Sequence, residues 1–106
     1  MADIGGYLLD NEGNPYKEPD TMKWAEGFEK MKKDRIVKQT TVKGHFVSTI
    51  FLGLDNSFGG HIPMLFETMI WFEDEDIYQD RHSTRQKAEL AHDRLVNQIT
   101  YGQELR

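Results

Sequence analysis

Apolar and polar positions alternate most clearly between positions 35 and 82. Arg35 to Val42 is dense in β-branched residues and reads as a strand. Lys43-Gly44 predicts a two-residue turn, with glycine supplying a positive φ. His45 to Leu52 then returns antiparallel, with Val42 facing His45 and Lys38 facing Thr49. Gly53 to Pro63 is a long loop, and Met64 to Phe72 is the third strand. Glu73-Asp74-Glu75-Asp76 reads as an acidic, solvated turn, and Ile77 to His82 as a candidate fourth strand.

Helical spacing flanks this meander. Asp20 follows Pro19 as an N-cap, and Trp24, Ala25, Phe28 and Met31 fall on one face of a helix from Thr21 to Lys32. That aromatic face is expected in the core. Ser83-Thr84-Arg85-Gln86 fits a capping box. It opens a helix to about Thr100 with Ala88, Ala91, Leu95 and Ile99 as its apolar stripe. Before the first helix, Tyr7-Leu8-Leu9 and Tyr16 to Glu18 flank the turn formers Asp10 to Pro15 and predict a small hairpin. The tail from Tyr101 to Arg106 is expected to fray. The expected fold is α+β: a single domain over 1–106, with an antiparallel three- or four-stranded meander, one N-terminal helix and one C-terminal helix.

Period-two alternation sorts the strands into two faces. One is expected to carry Phe46, Ser48, Ile50, Leu52, Phe66, Thr68, Ile70 and Phe72 beneath the helices. The other is expected to carry His45, Val47, Thr49, Phe51, Leu65, Glu67, Met69 and Trp71. Both faces are apolar, so both need cover. With two helices on one side, a second subunit on the other is the simplest cover. A homo-oligomer, most simply a dimer, is therefore expected, with part of the Val47, Phe51, Met69 and Trp71 face at the contact.

Composition narrows the function classes. A chain of 106 residues is one domain of ordinary hydrophobic content, 38%. It has no run of about 18 apolar residues, so no membrane span is expected. The opening Met1 to Gly6 lacks the basic-then-apolar pattern of an export signal. Without cysteine there are no disulfides or thiolate metal sites, which fits a cytoplasmic protein. The net charge of −5 opposes binding to duplex nucleic acid.

Candidate chemistry is sparse. His45, His61, His82 and His92 are scattered without zinc spacing, and no metal or other cofactor is implied. Glu67, in the middle of an apolar face, needs a partner: Lys38 or Arg81 to satisfy it, or a ligand. The loop with Asp55, Asn56, Phe58, Gly59 and Gly60 can present backbone N–H groups, but it is neither a P-loop nor a dinucleotide fingerprint. Together with Thr49, Glu67, Thr68 and Arg81, these residues form the expected ligand or partner site. It lies where the loop meets the Glu67 end of the third strand.

The run Val47-Ser48-Thr49-Ile50-Phe51-Leu52-Gly53-Leu54-Asp55, then Phe58-Gly59-Gly60, then Pro63-Met64-Leu65-Phe66-Glu67-Thr68-Met69, resembles a family of small proteins from tailed phages and prophages. The likeness extends to Tyr7-Leu8-Leu9-Asp10 with Gly13 and Pro15, and to Pro19-Asp20 with Trp24 and Phe28. It also takes in Arg81-His82-Ser83-Thr84 with Ala88 and His92. His82 and Arg85 depart from the pattern, where Tyr and Trp are usual. The resemblance implies a phage accessory protein expressed in the bacterial cytoplasm, and brings no catalytic residues. The expected function is non-enzymatic: binding a host protein, or sequestering a small nucleotide-like ligand, to counter host defence. The alternatives are a small hydrolase of a nucleotide or phosphoester using Glu67, Asp55 and His61, and a minor virion or assembly component.

Overall fold

Two tight hairpins set the sheet. The computed structural model describes residues 4–57 and 59–106. In order, these form strands β1 (Tyr7–Leu9) and β2 (Pro15–Lys17), helix α1 (Thr21–Met31), and a 3-10 turn (Lys32–Arg35). Strands β3 (Ile36–Val42), β4 (His45–Phe51), β5 (Phe66–Phe72) and β6 (Glu75–His82) follow, and helix α2 (Arg85–Thr100) closes the chain. Strands β3 to β6 make one antiparallel sheet in sequence order, and β1 pairs with β2. The α+β expectation therefore holds, with four strands in the meander.

Lys43 and Gly44 turn the first hairpin at φ 48 and 77. Glu73 and Asp74 turn the second at φ 52 and 65. Left-handed backbone at two successive residues matches the twist of a two-residue hairpin. Glutamate has no preference for that region, so the second turn is held by its strands rather than by its residues. Glu75 and Asp76, expected in the turn, belong to β6.

Register overturns the expected sorting of faces. Val47 pairs with Ile70, Thr49 with Thr68 and Phe51 with Phe66, while Phe46 pairs with Trp71 and Ile50 with Glu67. Cross-strand partners share a face, so β4 is one residue out from the expected parity relative to β5. The connection from β4 to β5 is long and irregular, and such a loop carries no parity information. Val47 and Phe51 are consequently core residues at 0% exposure, not contact residues of an outer face.

Helix α2 covers the Val47 face and contacts all four strands. Its Leu95 and Ile99 pack with Val47 and Ile70, and Ala88 packs with Phe51, Leu65 and Phe66. The N-cap is Thr84, which accepts from the Lys87 N–H, one residue beyond the expected Ser83. The C-terminal tail, expected to fray, folds back on α2. Leu105 packs against the Leu95 cluster and Arg94 donates to the Arg106 carbonyl.

Asp20 caps α1 as expected, accepting from Met22 and Lys23. The helix, however, buries no residue fully. It packs mainly on the β1–β2 hairpin, and Met31 at its end reaches the Phe51 cluster of the large sheet. The Trp24 indole N–H is shared between the carbonyls of Tyr7 and Gly53, at 3.1 and 3.0 Å. Tyr7 in turn donates to Gly53 O at 2.8 Å, which ties the hairpin to the end of β4. Gly53 sits at φ 80, and a Cβ there would lie 2.7 Å from the Phe28 ring. We expect Gly53→Ala to lower unfolding free energy by more than about 1 kcal/mol, since strain and overlap add; chemical denaturation checks this.

The hairpin, Met31 and α2 all lie on one side. The radius of gyration is 14.8 Å, against about 13 Å for a compact chain of this length. This is an elongated, one-sided arrangement. No helix among the described residues is long and apolar enough to cross a membrane.

Candidate functional site

The open side of the sheet carries Phe46, Ile50, Met69 and Trp71, with Ser48 and Glu67 between them. Phe46 is 38% exposed. Its ring meets that of Trp71 at 5.8 Å and a 32° tilt. Glu67 is 9% exposed, because its neighbours wrap it. Gln79 Nε2 donates to Glu67 Oε2 at 2.7 Å, and Arg81 Nε donates to the same oxygen at 3.1 Å. On the neighbouring strand, Gln39 donates to Ser48 Oγ at 3.1 Å. A guanidinium and an amide donor offset part of the desolvation cost of the buried carboxylate. The expected Lys38–Glu67 contact is not made. Lys38 faces the other way, where Nζ reaches Asp93 of α2 at 2.6 Å.

The Gly-rich loop meets this surface at its Arg81 end. A cleft of about 720 Å³ lies between Asn56, Ser57, Gly60 and His61 on the loop and Gln79 and Arg81 on β6. Asp55 shapes the loop rather than lining the cleft. Its Oδ1 accepts from the backbone of Ser57 at 2.8 Å and of Met64 at 3.1 Å. Burial raises the Asp55 pKa, but these bonds outweigh it and leave the carboxyl below its ordinary value.

Of the residues expected at the site, Asn56, Gly60 and Arg81 line the cleft, and Glu67 braces Arg81. Gly59 points into open space at φ 92. Phe58 lies outside the described residues. Thr49 and Thr68 are the corrections: both are fully buried on the α2 side, away from the cleft. The one-residue change of parity that moved Val47 inward moved Thr49 with it. Thr68 lies on the covered face, as its alternation with Phe66 and Ile70 predicts.

Those two threonines belong to a polar chain that the sequence reading did not assemble. Thr40 Oγ1 meets His92 Nε2 at 2.8 Å, and His92 Nδ1 meets Thr49 Oγ1 at 2.8 Å. Thr49 Oγ1 meets Thr68 Oγ1 at 2.6 Å, and Thr68 Oγ1 meets His82 Nε2 at 3.1 Å. When Thr49 and Thr68 each spend their one proton inside the chain, the four bonds all run the same way along it. With both rings neutral, His82 and His92 then carry their protons on the same-named nitrogen, Nδ1 in one direction and Nε2 in the other. Burial lowers both pKa values. Lys38 lowers His92 further against Asp93, and at His82 Asp80 opposes the shift while Arg94 adds to it. The sequence signal was the Phe66-x-Thr68-x-Ile70 alternation of β5, with His92 beside the apolar stripe of α2.

Among the described residues no group of three or more His, Asp or Glu side chains is arranged to hold a metal ion. Of the three groups expected of a hydrolase, the cleft takes in His61 but neither Asp55 nor Glu67. Comparison of the chain with protein-family models, curated protein sequences and solved structures returns no match.

Proposed function

We propose that this is a non-enzymatic binding protein of phage origin, acting in the bacterial cytoplasm by docking a host protein on the open face of its sheet. The observation that carries the reading is the uncovered set Phe46, Ile50, Met69 and Trp71 around a polar centre of Glu67, Gln79 and Arg81. Aromatic residues, methionine and arginine are the types enriched at protein interfaces, and a braced polar centre supplies specificity. Helix α2 spends its apolar stripe on the opposite face, so nothing in this reading competes for the surface.

Sequestration of a nucleotide-like ligand in the Arg81 cleft is less favoured. Asp80 lines that cleft and Glu67 already engages Arg81, so an anion meets opposing charge. A homodimer is the competing occupant of the sheet face, since a centre holding both Glu67 and Arg81 can complement its own copy. In that reading Phe46, Ile50, Met69 and Trp71 replace the expected Val47 and Phe51.

A photo-crosslinking residue placed at Met69, and as a control at the exposed Leu90 on α2, tests the assignment. We expect a discrete protein adduct from position 69 in bacterial cells and none from position 90. An adduct of twice the chain mass, matched by a dimer in light scattering, selects the homodimer. No adduct from position 69 removes the face from the function.

A further inference from the structure

The open face ends at the two hairpin turns, and its chemistry changes there. A notch of about 400 Å³ is lined by Gly44, Phe46, Trp71, Glu73 and Asp74. Two of its walls are the tilted aromatic pair, and two are carboxylates. Neither Glu73 nor Asp74 makes a hydrogen bond or ion pair to a described residue. Asp76, the cross-strand partner of Trp71, adds a third acidic residue at this end of the face. Lys43, which precedes Gly44 in the first turn, has its Nζ engaged elsewhere, donating to the Thr100 carbonyl at the end of α2. Across this face Arg81 stands against Glu67, Glu73, Asp74 and Asp76, in a chain whose net charge is −5.

We infer that the notch between Phe46, Trp71, Glu73 and Asp74 receives an arginine side chain of the docked protein. A cation over an aromatic face is attracted by the ring quadrupole, and indole is the strongest such face. A guanidinium also stacks flat on a ring while its N–H fork engages carboxylates, which an ammonium does less well. Charge complementarity selects a basic partner over a second copy of this acidic chain, since paired copies would add carboxylates to carboxylates. The inference rests on the docking reading above and names the chemistry of the partner's anchor.

The test uses the intact protein and N-acetyl-arginine amide, with N-acetyl-citrulline amide as the uncharged control of the same shape. Binding is followed by NMR at the two indole N–H signals, and Trp71→Phe identifies which belongs to Trp71. Arginine amide is expected to shift the Trp71 signal and leave Trp24 in place. Citrulline amide should bind at least tenfold more weakly. The double variant Glu73→Gln, Asp74→Asn should weaken arginine amide at least tenfold, and asparagine suits the left-handed backbone at 74. Equal binding of the two amides, shifts confined to other regions, or an unchanged affinity in the double variant would each overturn the arginine site. Crosslinking from Met69 involves no cation. If its adduct persists while arginine amide fails, the anchor is wrong and the docking face stands; if both fail, the face itself is wrong.

Discussion

Phe51→Ala will lower unfolding free energy by about 3–5 kcal/mol, the usual range for deleting a buried phenylalanine. Phe46→Ala, five residues earlier on the same strand, will cost only about 1 kcal/mol. Phe51 is 0% exposed and packs with Leu65, Phe66 and Ala88. Its ring lies 5.5 Å from that of Phe66, across the strand pair. Truncation leaves a cavity between sheet and helix that neither can close, because both are rigid there. Phe46 is part-exposed and loses mainly its contact with the Trp71 ring, for which pairs contribute about 0.5–1.5 kcal/mol. Urea denaturation of both variants decides the parity of β4. Reversed costs would mean that the strand presents its other face to α2, and the open surface assigned above would then be wrong.

Stability will fall as pH is lowered from 7.5 to 5, and His92→Leu will flatten that dependence. His82 and His92 both have pKa values lowered from 6.5 by burial. The unfolded chain therefore binds more protons than the folded one below that value. The stability associated with these rings is fully present above 6.5 and is lost as pH falls from there through the lowered folded values. The hydrogen-bonded chain sharpens the effect. A proton on one ring can be accommodated by orienting the hydroxyls away from it. Protons on both rings aim donors at Thr49 and Thr68 from both ends, and one hydroxyl proton is left without an acceptor. Asp55, also lowered, titrates below 3.8 and does not contribute in this range. At pH 7.5, His92→Leu will itself cost about 1–3 kcal/mol, the range for leaving a buried polar partner unsatisfied. Thermal melts of both proteins across the pH series check this. A wild-type curve flat from 7.5 to 5, or one as steep in the variant, would rule out the histidines as its source.

Most of the elements were legible in the sequence. The Asp20 cap, the Lys43-Gly44 turn, the stripe of Ala88, Ala91, Leu95 and Ile99, and the pairing of Lys38 with Thr49 all follow from local rules. Each depends on residues within one turn, or on strands joined by two residues. The loop 53–63 was expected at the Glu67 end of β5, since a loop between neighbouring strands must sit at their ends; its contact with β6 was not part of that expectation. What failed was anything that required parity across that loop. Val47, Thr49 and Phe51 were assigned outward together, and Lys38 was matched with Glu67 on that basis. Trp24 and Phe28 read as core because aromatic residues at helical spacing usually are. They pack instead on a three-residue strand and on the glycine at the end of β4, contacts that no local pattern encodes.

The sequence by itself determined the order and type of the main elements, the Lys43-Gly44 turn and the absence of cysteine chemistry. Periodicity, capping and turn preference act over a few residues and are written in those residues. Only the tertiary structure decided which face of the sheet α2 would cover, because both faces are apolar and hydrophobic burial is non-directional. The choice falls on the side where His92 can bridge Thr40 and Thr49 and where Leu95 meets Val47 and Ile70. It leaves Glu67 to Arg81 and Gln79 on the other side, and leaves the Phe46–Trp71 pair beside Glu73 and Asp74 at the surface.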